Sequence, residues 1–434
     1  MDHHCRYDAP TVGVLGPAHK AVPLAAWGRT AEDFVAEAPG LAGLPTPLLT
    51  LDAGAVAHNV ATLAAWAQTA GVDLAPHGKT TMAPALWRQQ LAAGALGLTV
   101  ATGWQLAVAL EHDVPWIQMA YPLLDPGLLR HLTGKPSAQR ILSWVDGIDV
   151  VEAMAAALAG HDVHKPLDIL VELGAAGGRT GARSIERCVD IARAVVATPG
   201  LRLAGVAGYE GALAHDAGTE SLTVVRKYLT ELAGLQARLT AAGLYSDVPG
   251  GVVVSAGGSA YFDLVAEILA PLHDPTGAGG PPVRVVVRAG AYIAHDDGFY
   301  RAITPMARAQ SGTLRAALHG WVRVLSRPEP ALALVDAGKR DLPFDEGLPQ
   351  VQAIRRGGTS RTEPLTGAVV TAMNDQHAFV RLAPEAESVA VADVLRLGIS
   401  HPCTAFDKWQ LIPVIDDAMA AQPVVVDFVR TVFG

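Results

Sequence analysis

The stretch Leu167-Asp168-Ile169-Leu170-Val171, followed by Ile185, Val189, Ala192 and Val196 and then by Leu203-Ala204-Gly205-Val206, decides the fold. The first run is short, apolar and β-branched, which suits a buried strand. The next four residues recur at helical spacing, and the third run is a second strand. Strand, helix and strand in that order make the unit of a parallel sheet with right-handed crossovers. The same beat repeats on either side. Upstream lie Leu48-Leu49-Thr50-Leu51 with Val56, Val60, Leu63 and Ala67, and Val72-Asp73-Leu74 with a helix-like stretch to Leu91. Leu96 to Ala101, Trp116 to Met119 and Ile141 to Val145 are further strands, and Thr102-Gly103 opens a helix through Leu110. Downstream, Leu222, Val225, Leu229 and Leu232 mark a long helix, and Val252-Val253-Val254 and Val283 to Val287 are strands. Roughly eight to nine strand candidates over residues 46–300 predict a closed, TIM-like (β/α)8 barrel rather than an open doubly wound sheet. Past about Arg301 strands follow one another: Thr313 to Val324, Ala331 to Asp336, Gly367 to Met373, Phe379 to Leu382, Val391 to Leu397 and Leu411 to Val414. That pattern predicts a C-terminal antiparallel β domain over residues 301–434. Residues 1–45 are broken by Pro10, Pro17, Pro23, Pro39 and Pro45, and are expected to pack on the β domain.

Composition narrows the class. The 434 residues are 50% hydrophobic and 17% charged, the latter below the roughly 25% usual for soluble domains. Mean hydropathy is +0.27. No window of about 18 apolar residues runs without interruption, so no membrane span is expected. Met1-Asp2-His3-His4-Cys5-Arg6 does not read as a signal peptide. A net charge of −9 argues against nucleic acid as the main partner. Cys5, Cys188 and Cys403 are odd in number and far apart, which excludes a disulfide framework and fits the cytoplasm.

Barrels gather chemistry at the C-terminal ends of their strands. Pro76-His77-Gly78-Lys79-Thr80 follows Val72-Asp73-Leu74. A lysine in an apolar barrel mouth loses hydration, its pKa falls, and its amine becomes a nucleophile for carbonyls; a solvated loop lysine is the plainer alternative. Arg179 sits in the glycine-rich segment Glu172 to Gly181, which suits an anionic ligand. Tyr209, between Gly208 and Gly211, presents a ring and a hydroxyl to a ligand or fills core. Gly257, Gly258 and Ser259 offer backbone amides and a hydroxyl suited to a phosphate, and Gly290 and Tyr292 add to them after the next strand. In the β domain His401 and Cys403 are two apart, so an extended segment points both to one side. Imidazole with thiolate suits zinc, with the other positions left to water or substrate; a buried cysteine beside a surface histidine has the same spacing. Asn374-Asp375-Gln376-His377 is a second polar cluster.

Taken in order, these pieces resemble the D-serine dehydratase and D-threonine aldolase group, pyridoxal-phosphate enzymes of the alanine racemase type (fold type III), from about Pro45 to Val414. The resemblance implies that Lys79 is the Schiff-base lysine, with His77 beside it in the cofactor pocket. It implies that Arg179 meets the phenolic oxygen of pyridoxal phosphate and that Tyr209 lies at the cofactor face. Gly257, Gly258, Ser259, Gly290 and Tyr292 match its phosphate loops. His401 and Cys403, in the run His401 to Trp409, match the metal pair of the dehydratase branch. The activity implied is a lyase acting on a D-3-hydroxy amino acid: Lys79 takes the α-proton, a divalent metal (zinc is expected) holds the β-hydroxyl, and a 2-keto acid and ammonia result. The D-configuration rests on the resemblance alone. The alternative is aldolase cleavage to glycine and an aldehyde, with His377 as a candidate catalytic base. A pyridoxal-phosphate-binding protein without turnover, and a racemase, are more distant, since neither uses a metal pair. A homodimer is expected on the same ground. Three departures stand out: Ala75 where relatives often carry arginine, the long Ala175-Ala176-Gly177-Gly178 segment before Arg179, and Cys403 where the aldolase branch usually has a carboxylate.

Overall fold

The structure is a computed structural model that describes residues 7–20, 22–278, 281–309 and 312–433. Cys5 and part of the His273 to Pro282 loop lie outside the described residues. The described residues form two sheets, of eight and ten strands. Strand β1 is Leu48–Asp52. The eight-stranded sheet holds β2 (Asp73–Leu74), β3 (Leu98–Val100), β4 (Trp116–Met119), β5 (Arg140–Val145), β6 (Leu167–Leu173), β7 (Leu201–Gly208), β8 (Val252–Ala256) and β9 (Val283–Val287). Its order is β2-β9-β8-β7-β6-β5-β4-β3, all parallel, with helices between successive strands. The two ends of that order meet: Leu96 N donates to Leu74 O at 2.8 Å, Thr99 N to Pro76 O at 2.8 Å, and Thr99 Oγ1 to Ala75 O at 2.7 Å. The result is a nearly closed (β/α)8 barrel.

The barrel is packed inside. Trp116, Leu142, Trp144, Leu170, Ala204, Val253 and Val286 form one apolar cluster among the strands. Toward the N-terminal ends, Arg140 Nε and Arg202 Nε both donate to the buried carboxylate of Asp168, at 2.8 and 2.7 Å. A third arginine, Arg288, is buried near the other end.

One strand departs from expectation. Leu48–Asp52, read as the opening of the barrel rhythm at residue 46, belongs to the other sheet. It pairs antiparallel with β10 (Leu318–Glu329) and parallel with β17 (Leu411–Ile415). All five of its residues are buried, so its pattern is that of a central strand in either sheet, and periodicity does not tell which. Helix Ala53–Ala70, capped by the Asp52 carboxylate accepting from Ala55 N at 2.7 Å, then carries the chain into the barrel.

The second sheet also holds β11 (Leu332–Val335), β12 (Gln350–Arg355), β13 (Thr362–Pro364), β14 (Ala368–Met373), β15 (Ala378–Leu382), β16 (Val394–Gly398) and β18 (Val425–Arg430). Its main path runs β13-β12-β16-β10-β1-β17-β18, and β11, β15 and β14 branch from β10. Apart from the parallel β1–β17 pair, its ladders are antiparallel. The N-terminal segment lies along β18: Asp8 N donates to Phe428 O at 2.9 Å, Leu41 N to Pro423 O at 2.9 Å, and Phe34 stacks on Phe428. Among the described residues no helix is long and apolar enough to cross a membrane.

Candidate active site

A cavity of about 960 Å³ opens at the C-terminal ends of the barrel strands, with the β domain forming part of its wall. Its lining includes His77, Lys79, Arg179, Tyr209, Gly258, Ser259, Gly290, His401 and Cys403. Nine positions singled out from the sequence, spread over more than three hundred residues, therefore share one space.

Lys79 stands in the single turn Gly78–Thr80 that follows β2. Trp87 pins this turn, its Nε1 donating to Gly78 O at 3.2 Å and to Thr81 Oγ1 at 3.1 Å. Lys79 lines the cavity, its side chain reaching into that open space. Desolvation lowers its pKa; the Cys403 sulfur pulls it back, and the guanidiniums of Arg179 and Arg288 lower it further. Those influences favour the neutral, nucleophilic amine. His77 is held well below its usual pKa, by burial first and by the nearby cations second, so its ring is neutral. Its Nδ1 is buried without a partner.

Arg179 lies on the long loop after β6. Arg183 orders that loop, donating from Nη1 to Ala175 O at 2.7 Å and from Nη2 to Gly178 O at 2.9 Å. The Arg179 guanidinium sits 5.1 Å from the Tyr209 ring centre, so the long loop does not carry it away from the cavity. Glu172, at the end of β6, is buried and accepts from Thr180 Oγ1 at 2.9 Å. Burial, against that hydrogen bond and with added repulsion from Asp146, raises its pKa to about 7.

The phosphate loops differ in detail from the sequence reading. Gly257 N and Gly258 N are not bare: both donate to the buried carboxylate of Glu210, at 3.0 and 2.7 Å. Gly257 lies behind the wall rather than on it. Ser259 does line the cavity, its Oγ accepting from Ala291 N at 3.2 Å. Gly290 packs against His77, where a Cβ would stand 2.6 Å from His77 Cβ. Tyr292 is a correction. It is buried in the core with its hydroxyl accepting from Gln90 Nε2 at 3.1 Å, and it does not reach the cavity. The periodicity that placed it after a strand end does not show which way a side chain in a turn points.

On the β-domain side, Cys403 Sγ lies 3.3 Å from Thr80 Oγ1, next to Lys79 in the chain. His401 Nδ1 lies 2.7 Å from Asp345 Oδ2. Burial opposes charge on His401, but Cys403 and Asp345 outweigh it and push its pKa up to about 9. Among the described residues no cluster of three or more His, Cys, Asp or Glu is placed to hold a metal ion; a metal on His401 and Cys403 would keep positions for water or substrate. His377 is the second correction. It is exposed at the tip of the β14–β15 hairpin, which docks on residues 338–341 through Lys339 N to Asn374 O at 2.9 Å, and it does not line the cavity of its own chain.

Among the cavity residues not singled out from the sequence are Arg288 and Tyr300. Arg288 follows β9, buried, donating to Ser255 Oγ at 2.8 Å and Gly208 O at 2.6 Å with its guanidinium 4.8 Å from the Trp144 ring centre. Tyr300 sits 5.9 Å from the His401 ring. The Asp296 carboxylate positions it by accepting from Gly298 N at 2.9 Å and Tyr300 N at 3.0 Å. The dense run His295-Asp296-Asp297 at the junction of barrel and β domain was the available signal.

A nucleophilic lysine in the mouth of a (β/α)8 barrel, closed over by an antiparallel β domain, defines the alanine racemase type of pyridoxal-phosphate enzyme. Comparison with known proteins agrees. The family described as "Putative serine dehydratase domain" matches residues 317–415. A D-threonine aldolase from Arthrobacter is 27% identical over 384 residues, 87% of this chain and 91% of that one. The crystal structure of a D-threonine aldolase from Filomicrobium marinum superposes with a TM-score of 0.74 at 22% identity, covering 90% of this chain and 96% of the other. A D-threo-3-hydroxyaspartate dehydratase, in a cysteine-to-alanine variant in the metal-free form, gives a TM-score of 0.68 at 21% identity over 91% and 100% of the two chains. A second structure of that dehydratase carries a histidine-to-alanine change two positions earlier (TM-score 0.70, 22% identity, 93% and 99% coverage). The chain is similar to the D-serine dehydratase and D-threonine aldolase group of fold type III pyridoxal-phosphate-dependent lyases.

The cavity fits that cofactor. Lys79 offers an amine whose neutral form desolvation favours. Gly290 and Gly258 let His77 and the Tyr209 ring close in on the cavity, where a Cβ would stand 2.6 Å from His77 Cβ and 3.0 Å from the Tyr209 ring. His77 Nδ1 and Arg288 Nε are buried polar atoms on cavity residues that still lack partners, as groups awaiting a polar ligand would.

Proposed function

We propose that the chain is a metal-assisted pyridoxal-phosphate lyase that removes water from a D-3-hydroxy amino acid, as D-serine dehydratases do, giving a 2-keto acid and ammonia. The observation that carries this reading is the 3.3 Å approach of Thr80 and Cys403, which brings the lysine turn and the histidine–cysteine pair into one cavity.

Lys79 would hold pyridoxal phosphate, with Arg179 and Arg288 supplying positive charge, and Ser259 and the Gly290 segment taking the phosphate. Bound there, the cofactor supplies an electron sink for charge at the carbon bearing the amino group. Lys79 Nζ would take the α-proton, and its lowered pKa favours the base form. His401 and Cys403 would hold a divalent metal, zinc by the softness of the thiolate, whose Lewis acidity eases the departure of hydroxide. The histidine and cysteine replaced in the 3-hydroxyaspartate dehydratase structures have the same spacing, which supports this pairing. The Tyr209 hydroxyl, whose pKa burial raises, stays protonated and able to donate.

The second reading is aldolase cleavage, favoured by the 27% identity to D-threonine aldolase. It needs a base for the β-hydroxyl proton. His377 does not line the cavity, whereas His215 does. A homodimer belongs to the same proposal: Tyr121 and Leu124 are exposed on the cavity lining, an apolar surface that a second copy would cover. A cytoplasmic location suits a thiolate ligand that must stay reduced.

The deciding experiment measures keto acid and ammonia from D-serine, with L-serine and chelator-treated enzyme alongside. Keto acid from the D-isomer alone, lost with chelator and restored by zinc, supports the dehydratase. Glycine from D-threonine with no keto acid from D-serine supports the aldolase.

A further inference from the structure

Asp345 belongs neither to the strand-end motifs nor to the His401–Cys403 pair. It lies on the connection between β11 and β12, far in sequence from His401. Its Oδ2 is 2.7 Å from His401 Nδ1, and its Oδ1 accepts from Thr404 Oγ1 at 2.7 Å. Both carboxylate oxygens are thus engaged by the segment that carries the histidine–cysteine pair. A carboxylate facing Nδ1 makes that nitrogen the donor, which fixes the proton there. In the neutral ring, the form that a metal binds, Nε2 then keeps the lone pair. The ring is held in orientation as well, because turning it breaks the bond to Asp345, and the Tyr300 ring packs 5.9 Å from it.

We propose that Asp345 is the positioning residue of this pair: it selects the His401 tautomer and orientation that leave Nε2 free to bind a divalent metal, and Thr404 in turn holds Asp345. The inference rests on the reading of His401 and Cys403 as metal ligands. Hydrogen bonding to the second nitrogen of a ligating histidine raises its basicity, and losing such a partner typically costs 10–100-fold in metal affinity.

The test is zinc affinity of the full chain, measured by competition with a chromophoric chelator and needing no substrate. Asp345→Asn should weaken zinc binding by about 10–100-fold, with the cofactor absorbance unchanged. Thr404→Val should weaken it less, since Asp345 is loosened but present. His401→Ala is the reference for loss of a ligand. Asp345→Asn binding zinc within twofold of the unaltered chain, while His401→Ala loses it, overturns the positioning role and leaves the metal reading intact. An unaltered chain whose zinc binding is no tighter than that of His401→Ala overturns both.

Discussion

Gly290→Ala is the most informative single change, because its effect is worked from distances alone. Gly290 has φ −114°, which alanine adopts freely, so no backbone strain is involved. An added Cβ would stand 2.6 Å from His77 Cβ, 2.8 Å from His77 O and 3.1 Å from His77 Cα. These are backbone-end atoms and have no flexible tip to move aside. His77 is itself pinned, since its N donates to Arg288 O at 3.2 Å and it bridges to Thr99 where the barrel closes. Relief therefore shifts either the barrel seam or the turn bearing Lys79. Overpacking of this kind costs about 1–3 kcal/mol. Urea unfolding of the protein without cofactor measures it. Gly40→Ala is the control: φ is −64° and nothing lies within 4 Å of its Cβ, so its effect should stay within about 0.5 kcal/mol. Gly290→Ala should also retain less pyridoxal phosphate after dialysis, read by absorbance. A variant as stable as the control, and equally loaded with cofactor, refutes the argument that close packing at Gly290 sets the position of Lys79.

Lys79→Ala should abolish both the absorbance of lysine-bound cofactor and turnover; an unchanged spectrum removes the lysine from its role. Glu346 lines the cavity beside Asp345 and adds a negative charge felt at Tyr300. A second substrate carboxylate near it is opposed by roughly 1 kcal/mol, about fivefold, so Glu346→Gln should raise kcat/KM for D-3-hydroxyaspartate relative to D-threonine by about that factor. An unchanged ratio rejects the idea. Glu172 bears on stability. With a folded pKa raised from 4.5 to about 7, the folded state binds more protons than the unfolded between those values. Its contribution is therefore present below about pH 4.5 and lost as pH rises through about 7. In the cofactor-free protein Glu172→Gln should remove this loss, gaining up to about 3 kcal/mol over the unaltered chain at pH 8 and nothing below pH 4.5. Parallel pH profiles in denaturant contradict it.

The barrel was legible because each crossover leaves two periods side by side, as at Leu167–Leu173 followed by Ile185–Ala197. The candidate site was legible where a residue comes within a few positions of a strand end, as Lys79, Tyr209 and Gly290 do. It failed where a side chain's direction or a distant partner decides. Glu210 takes the amides of Gly257 and Gly258 from across a loop, and no spacing rule connects it to them. Tyr292 and Tyr300 both follow β9, yet one points into the core toward Gln90 and the other lies beside His401. His377 sits in a polar turn that satisfies itself, with Asn374 N donating to His377 O at 2.8 Å, and a turn of that kind has the composition of a site.

The arrangement divides the labour by domain. In the reading proposed, amino-group chemistry falls to Lys79, Arg179 and Tyr209, all from the barrel. Handling of the β-hydroxyl, in the reading proposed, needs His401 and Cys403, both from the β domain. The two sets meet where Thr80 touches Cys403. The barrel half alone would serve any reaction that begins at the α-carbon, which is why fold likeness reaches racemases, aldolases and dehydratases together. What distinguishes a lyase on hydroxy amino acids must then come from the β-domain wall. Changes there should redirect the fate of the β-carbon while leaving the cofactor bound, and changes in the lysine turn should stop every reaction at once.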